Sequence, residues 1–155
     1  MDYSQHLMDL RRSYVALLPS QRFRIAMQRI ESPDNSPNLI VSYVSGIEGL
    51  LRSLVVHKVV ADQEQPIEDV YKQHKMATVE NLYSKYLELN EIKSQSLVTD
   101  EVFELVVFAV KYRNLLAHEC TYLRQGISSE LIPACEEFLF ALADSAGISL
   151  ETLGE

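Results

Sequence analysis

The sequence contains few of the residues that form tight turns and cross-links. Its 155 residues include only 5 Gly and 5 Pro, too few for a fold of many short strands joined by turns. With only 2 Cys, the chain does not resemble a small secreted domain held by disulfides, and we expect both thiols to be free. No apolar run approaches the roughly 18 residues of a membrane span, and the first residues lack the pattern of a secretory signal. The sequence therefore predicts a cytoplasmic protein without a membrane segment.

Positive charge is also scarce. The formal net charge is −8, which argues against passive coating of nucleic acid, because phosphate binding relies on Lys and Arg. An enzyme with a small basic cleft remains compatible with this balance. The basic residues between Arg11 and Arg29 are typical of a solvated helical face. Hydrophobic residues make up 47% and charged residues 23%, as expected of one globular domain over residues 1–155.

Apolar residues recur at three- and four-residue spacing along most of the chain, and no segment alternates with the period of a strand. The predicted fold class is all-α, an antiparallel bundle of four to five helices. The predicted helical segments are Tyr3–Leu18, continued or kinked into Gln21–Glu31, then Pro37 to about Val60, Pro66–Leu89, Thr99 to about His118 or Cys120, and about Glu130 to Ser145. Ser36, Thr99, and either Ser128 or Ser129 are the expected N-caps.

Two opposite charges interrupt the apolar stripes of the two most apolar helices. On an ideal helix, which turns about 100° per residue, Glu48 falls inside the stripe centred on Val44 and Leu51. Arg113 likewise falls near the centre of the apolar arc of its own helix. A charge left alone in a core costs several kcal/mol, so the simplest arrangement is that Glu48 and Arg113 meet. The alternatives are that both side chains reach solvent, or that Glu48 pairs with Arg52 one turn on.

The segment RNLLAH, from Arg113 to His118, resembles the motif of the HEPN superfamily. That motif is an Arg, usually followed by a polar residue, and then a His about four to six positions further on, late in the penultimate long helix. Here Asn114 is the polar residue. The segment SYVSGIEGLLRSL and the final helix resemble, more weakly, other helices of the same superfamily. A second pair, Arg52 and His57, has the same spacing, but it lies on an earlier helix and its His points away from the apolar stripe.

The resemblance implies a metal-independent endoribonuclease, a toxin or defence effector that works as a two-fold homodimer. His118 is expected to act as general base or acid on RNA, and Arg113 to stabilise the transition-state charge. Asn114 would orient the phosphate or His118, and Glu48 would hold Arg113. The product would carry a 2′,3′-cyclic phosphate. The sequence has no HExxH or CxxC motif, so we expect no metal or cofactor.

The resemblance also bears on partner proteins. An antitoxin or another defence protein is a possible partner class. HEPN toxins paired with a nucleotidyltransferase antitoxin often carry a Tyr two residues after the His, and this chain has Cys120 there, which weighs against that pairing.

Two other interpretations of the motif stay open. Arg113 and His118 lie near a helix C-terminus, where cations are stabilised by about 0.3–1 kcal/mol each, so their placement has a purely structural explanation. The second interpretation comes from a different functional class: a non-enzymatic HEPN-like scaffold that binds a partner or a nucleotide. Its 8 Tyr and its acidic surface suit that class equally well.

Overall fold

The protein is all-helical over the part of the chain that the structure, a computed structural model, describes: residues 3–31, 38–119 and 125–149. No strand occurs within those ranges. They contain seven helices, against the four or five predicted: α1 Tyr3–Val15, α2 Pro19–Ile30, α3 Asn38–Gln63, α4 Ile67–His74, α5 Val79–Leu89, α6 Asp100–Glu119 and α7 Gln125–Ser145. The predicted cap Ser36 lies outside the described residues.

Helix α3 is the centre of the core and contacts α2, α4, α5, α6 and α7. The apolar stripe that the sequence predicted for it is buried, as shown by Ile40, Val44, Ile47, Leu51 and Val55. By length and composition alone α3 is also apolar enough to cross a membrane. Half of its most apolar window is buried inside the protein.

The contact between α2 and α3 depends on one glycine. A Cβ atom built on Gly46 would lie 2.9 Å from the Cβ of Ala26, closer than real Cβ atoms approach. Gly46 therefore lets the two helix backbones meet closely. Phe23 of α2 is buried beside this contact and packs edge to face on Phe140 of α7, with ring centroids 6.0 Å apart.

The predicted helix Pro66–Leu89 is two helices, and the single-helix prediction was wrong at this point. Helix α4 ends at His74, and α5 begins after Thr78, whose Oγ1 accepts a hydrogen bond from the Asn81 N–H at 3.1 Å. This side-chain cap satisfies a backbone donor that a continuous helix would pair internally. The break lets both short helices pack on α3.

Helices α6 and α7 pack on each other and on α3. Thr99 caps α6 as predicted, because its Oγ1 accepts from the Val102 N–H at 3.3 Å. The prediction of Ser128 or Ser129 as the cap of the last helix was wrong, since α7 already begins at Gln125. The helix continues through Pro133, which removes one backbone donor without ending it.

Candidate functional site

The candidate site lies where α6 crosses α3. Glu48 of α3 and Arg113 of α6 are 65 positions apart in the chain, yet Arg113 Nη2 lies 2.5 Å from Glu48 Oε1 and Nη1 lies 3.3 Å from Oε2. The geometry is bidentate, the form in which the planar guanidinium matches a carboxylate best. The predicted contact between the two charges is confirmed.

The side chains of Arg113 and Glu48 are mostly, but not completely, buried. The Arg113 side chain is 19% exposed and that of Glu48 is 22% exposed. Because most of each side chain is desolvated, each charge depends on the other for compensation. Because some surface remains open, an external ligand can reach the guanidinium edge.

Asn114 adds a third contact to Arg113. Its Oδ1 accepts a hydrogen bond from Arg113 Nε at 2.9 Å, while the Asn114 side chain itself lies at the surface. An arginine has five N–H groups, and Glu48 and Asn114 together take three of them. The other two, one on each terminal nitrogen, have no partner among the described residues. A fixed guanidinium with two unoccupied N–H groups can bind a phosphate or carboxylate oxygen.

His118 lies in the last turn of α6, which ends at Glu119. Its backbone is described, and its side chain lies outside the described residues, as does Cys120. On an ideal helix positions 113 and 118 are about 140° apart around the axis. The side chains of Glu48, Arg113 and Asn114 are assembled within one chain.

The outer face of α6, on the side of the helix away from Arg113, carries exposed apolar side chains. Phe108 is 44% exposed and Leu115 is 48% exposed, and the ammonium of Lys111 lies 5.3 Å from the Phe108 ring centroid. A groove of about 470 Å³ lies along this face, bordered by Phe108, Lys111 and the acidic Glu104. Exposed aromatic and aliphatic side chains beside charges of both signs are typical of a surface that contacts another protein.

Arg52 and His57, the second Arg–His pair with the spacing of the motif, lie in another part of the fold. Both residues line a recess between α2 and α3, together with Arg22, Ser53 and Tyr71. Arg52 was an alternative partner for Glu48, but Glu48 pairs with Arg113. The Arg–His spacing in the sequence marks Arg52 and His57. That Arg22 lines the same recess depends on tertiary packing.

No group of three His, Cys, Asp or Glu side chains lies close enough to hold a metal ion within the described ranges. Comparison of the chain with known protein families, with curated proteins and with solved structures found no match.

Proposed function

We propose that the protein is a metal-independent endoribonuclease of the HEPN type that acts as a two-fold homodimer. The observation that carries the proposal is the guanidinium of Arg113, which Glu48 and Asn114 hold in place and whose other two N–H groups have no partner among the described residues. Such a group suits the extra negative charge that develops on the non-bridging phosphate oxygens when RNA is cleaved, because it needs no reorientation during the reaction. We also propose that the helices form an antiparallel bundle and that the protein acts in the cytoplasm.

The proposed reaction is attack of a ribose 2′-oxygen on the neighbouring phosphorus. The bond from phosphorus to the 5′-oxygen breaks, which leaves a 2′,3′-cyclic phosphate and a 5′-hydroxyl. One His118 takes the proton of the 2′-hydroxyl, and a second His118 gives a proton to the departing 5′-oxygen. Imidazole suits both tasks because it exchanges protons near neutral pH. Arg113 binds the non-bridging oxygens through its fork.

A dimer supplies the second histidine. Because positions 113 and 118 are about 140° apart around the axis of an ideal helix, two copies of the motif facing each other across a two-fold axis form one cleft more readily than one copy does. The exposed Phe108 and Leu115 provide apolar surface on the same helix for such a contact. An antitoxin or another defence protein is the class of partner that would control this cleft.

The test is cleavage of single-stranded RNA labelled at each end. Wild type should yield fragments ending in a 2′,3′-cyclic phosphate, with or without EDTA. His118→Ala should lower the rate roughly 10²–10⁴-fold, the usual contribution of a general acid or base. Arg113→Lys keeps the charge but loses the fork, and should lower the rate roughly 10²-fold or more. His74→Ala, which removes a histidine from α4, is the matched control and should cleave like wild type.

Size-exclusion chromatography with light scattering completes the experiment. A His118→Ala protein as active as wild type, or cleavage that EDTA abolishes, would contradict the proposal. A wild-type dimer that cleaves no RNA would favour the second candidate, a non-enzymatic scaffold. The exposed apolar face of α6 supports that alternative because it serves a partner contact without catalysis.

A further inference from the structure

A recess between α2 and α3 carries cationic side chains that the proposed cleavage does not use. It has a volume of about 10 Å³, room for one water molecule or one oxygen atom of a larger group. Arg22 enters from α2, whereas Arg52 and His57 enter from α3. Two guanidinium groups that line one small space make its surroundings positive, which favours an anion there.

Arg52 provides the second observation. Its Nε is buried and has no hydrogen-bond partner among the residues that the structure describes. In the candidate nuclease site the same atom of Arg113 is occupied by Asn114. Buried N–H donors of folded proteins nearly always have a partner, so Arg52 Nε is a donor to which an acceptor in the recess can bind. A guanidinium N–H forms its strongest hydrogen bonds with negatively charged acceptors.

The wall of the recess is fixed by the connection between α1 and α2. The carbonyl oxygen of Leu17 accepts from Ser53 Oγ at 3.3 Å and lies 3.1 Å from His57 Nε2. A carbonyl only accepts, so His57 carries its hydrogen on Nε2. These two bonds, to residues 36 and 40 positions away, hold the connection against α3 and keep the recess in shape.

A larger groove of about 450 Å³ adjoins the recess, and Val15 and Tyr71 line both. Three further cations border the groove, Arg12, Lys72 and Lys75, against one acid, Glu68. The exposed side chains of Met8 and Met76 supply apolar surface there. This local excess of positive charge contrasts with the net charge of −8 for the whole chain. The volume lies in the range of small-molecule sites, roughly 300–1,000 Å³.

We propose that the recess and its groove bind a phosphate monoester of the nucleotide class. One phosphate oxygen enters the recess and accepts from Arg52 Nε, with Arg22 beside it. The remaining phosphate oxygens face Lys72 and Lys75, and the base lies in the groove against Tyr71 and the methionines. The site is separate from Glu48 and Arg113, and its existence does not rest on RNA cleavage.

Isothermal titration calorimetry at about 150 mM salt, where the Debye length is about 8 Å, tests the site with AMP, adenosine, inorganic phosphate and a 5′-phosphorylated RNA tetranucleotide. AMP should bind, adenosine should not, and inorganic phosphate should compete with AMP. Arg52→Lys keeps the charge but lacks the Nε donor, and Lys72→Gln removes a charge at the groove. Each should weaken AMP roughly tenfold or more, the effect of losing one hydrogen bond to a charged group.

Lys93→Gln is the control because it removes one exposed charge between α5 and α6. It should leave AMP affinity unchanged. Equal weakening by Lys93→Gln, or no binding of any phosphorylated probe at millimolar concentration, would overturn the proposal. Tight binding of the tetranucleotide without binding of AMP would assign the same site to the phosphorylated end of RNA. If the Arg52→Lys variant binds AMP as tightly as wild type does, the role of Arg52 Nε is refuted.

A measurement on the wild-type protein guards against loss of folding in the variants. In a ¹⁵N spectrum that detects arginine Nε–H groups, the Arg52 signal should shift on addition of AMP and stay in place on addition of adenosine. The Arg113 signal should not move, because its Nε is bound to Asn114. Movement of the Arg113 signal alone would place the phosphate at the candidate nuclease site and reject the recess.

Discussion

Arg113 of α6 binds both carboxylate oxygens of Glu48 on α3, and this contact joins two helices that also pack on each other in the core. Both side chains retain about a fifth of their surface in solvent. A pair at this depth contributes little net stability when intact, yet leaves a poorly solvated charge when one partner is lost. Its main effect is to orient the guanidinium, which the candidate site requires.

The first prediction concerns this pair. Glu48→Ala should lower the free energy of unfolding by about 1–3 kcal/mol, because Arg113 is left with an uncompensated and largely shielded charge. Glu48→Gln keeps the size of the side chain and one acceptor oxygen, so it should lower the free energy of unfolding by less. Urea unfolding followed by circular dichroism measures both. Glu137→Gln, an exposed carboxylate on α7, is the control and should change stability by less than about 0.5 kcal/mol. Equal effects of Glu48→Ala and Glu137→Gln would contradict the coupling.

The second prediction separates two glycines of α3. Gly46→Ala places a methyl group 2.9 Å from Ala26 Cβ, so α2 must move away. Overpacking of this kind costs about 1–3 kcal/mol, partly offset by the better helix propensity of Ala, worth about 1 kcal/mol. Gly49→Ala meets no atom within 4 Å and should stabilise the protein by up to about 1 kcal/mol. The midpoint temperature of thermal unfolding should therefore fall for Gly46→Ala and rise for Gly49→Ala. A shift in the same direction for both variants would show that α2 and α3 do not approach each other tightly.

The contact between Glu48 and Arg113 was predictable from sequence, because helical periodicity places each residue on a stripe and burial then demands a partner. The division between α4 and α5 was missed, since no Gly or Pro marks it. Thr78, three residues before Asn81, was the available signal. The recess at Arg52 was beyond sequence reasoning, because it depends on the α1–α2 connection packing on α3 across 36 to 40 positions.

The third prediction uses the buried thiol of Cys135, a free cysteine on α7. Burial raises the pKa of Cys135 from its ordinary value of 9.0 to about 12. The folded state therefore holds this proton more tightly than the unfolded state does. The stability that this provides is fully present below pH 9 and is lost as pH rises from about 9 towards 12. Burial also raises the pKa values of Tyr43 and Tyr83, which act in the same direction.

Comparison with Cys135→Val isolates the cysteine, because valine keeps most of the packing and cannot ionise. The difference in unfolding free energy between the two proteins should change between pH 8 and pH 11, with wild type losing more. In a Cys120→Ser background, a thiol reagent at pH 8 should not label the native protein, whereas the protein in urea should react at once. Rapid labelling without urea would show that Cys135 is accessible.

The fourth prediction concerns the ends of α5 and α7, which a hydrogen bond joins. The Tyr86 hydroxyl lies 2.5 Å from Ser145 Oγ, and Ser145 Oγ donates its own hydrogen to the Leu142 carbonyl at 2.8 Å. Since the serine has one hydrogen to give, Tyr86 is the donor in the bond between them. Tyr86→Phe should cost about 0.5–1.5 kcal/mol of unfolding free energy, the usual net value of one such bond.

A double-mutant cycle tests whether that cost belongs to the bond. Tyr86→Phe combined with Ser145→Ala should cost less than the sum of the two single variants, because the second change removes a partner already lost. Tyr83→Phe is the matched control: its hydroxyl reaches the Ser94 carbonyl only at 3.4 Å, a weak bond, so its loss should be smaller. Additive costs in the cycle, or a larger loss for Tyr83→Phe than for Tyr86→Phe, would mean that packing of the ring, and not its hydroxyl, holds α5 against α7.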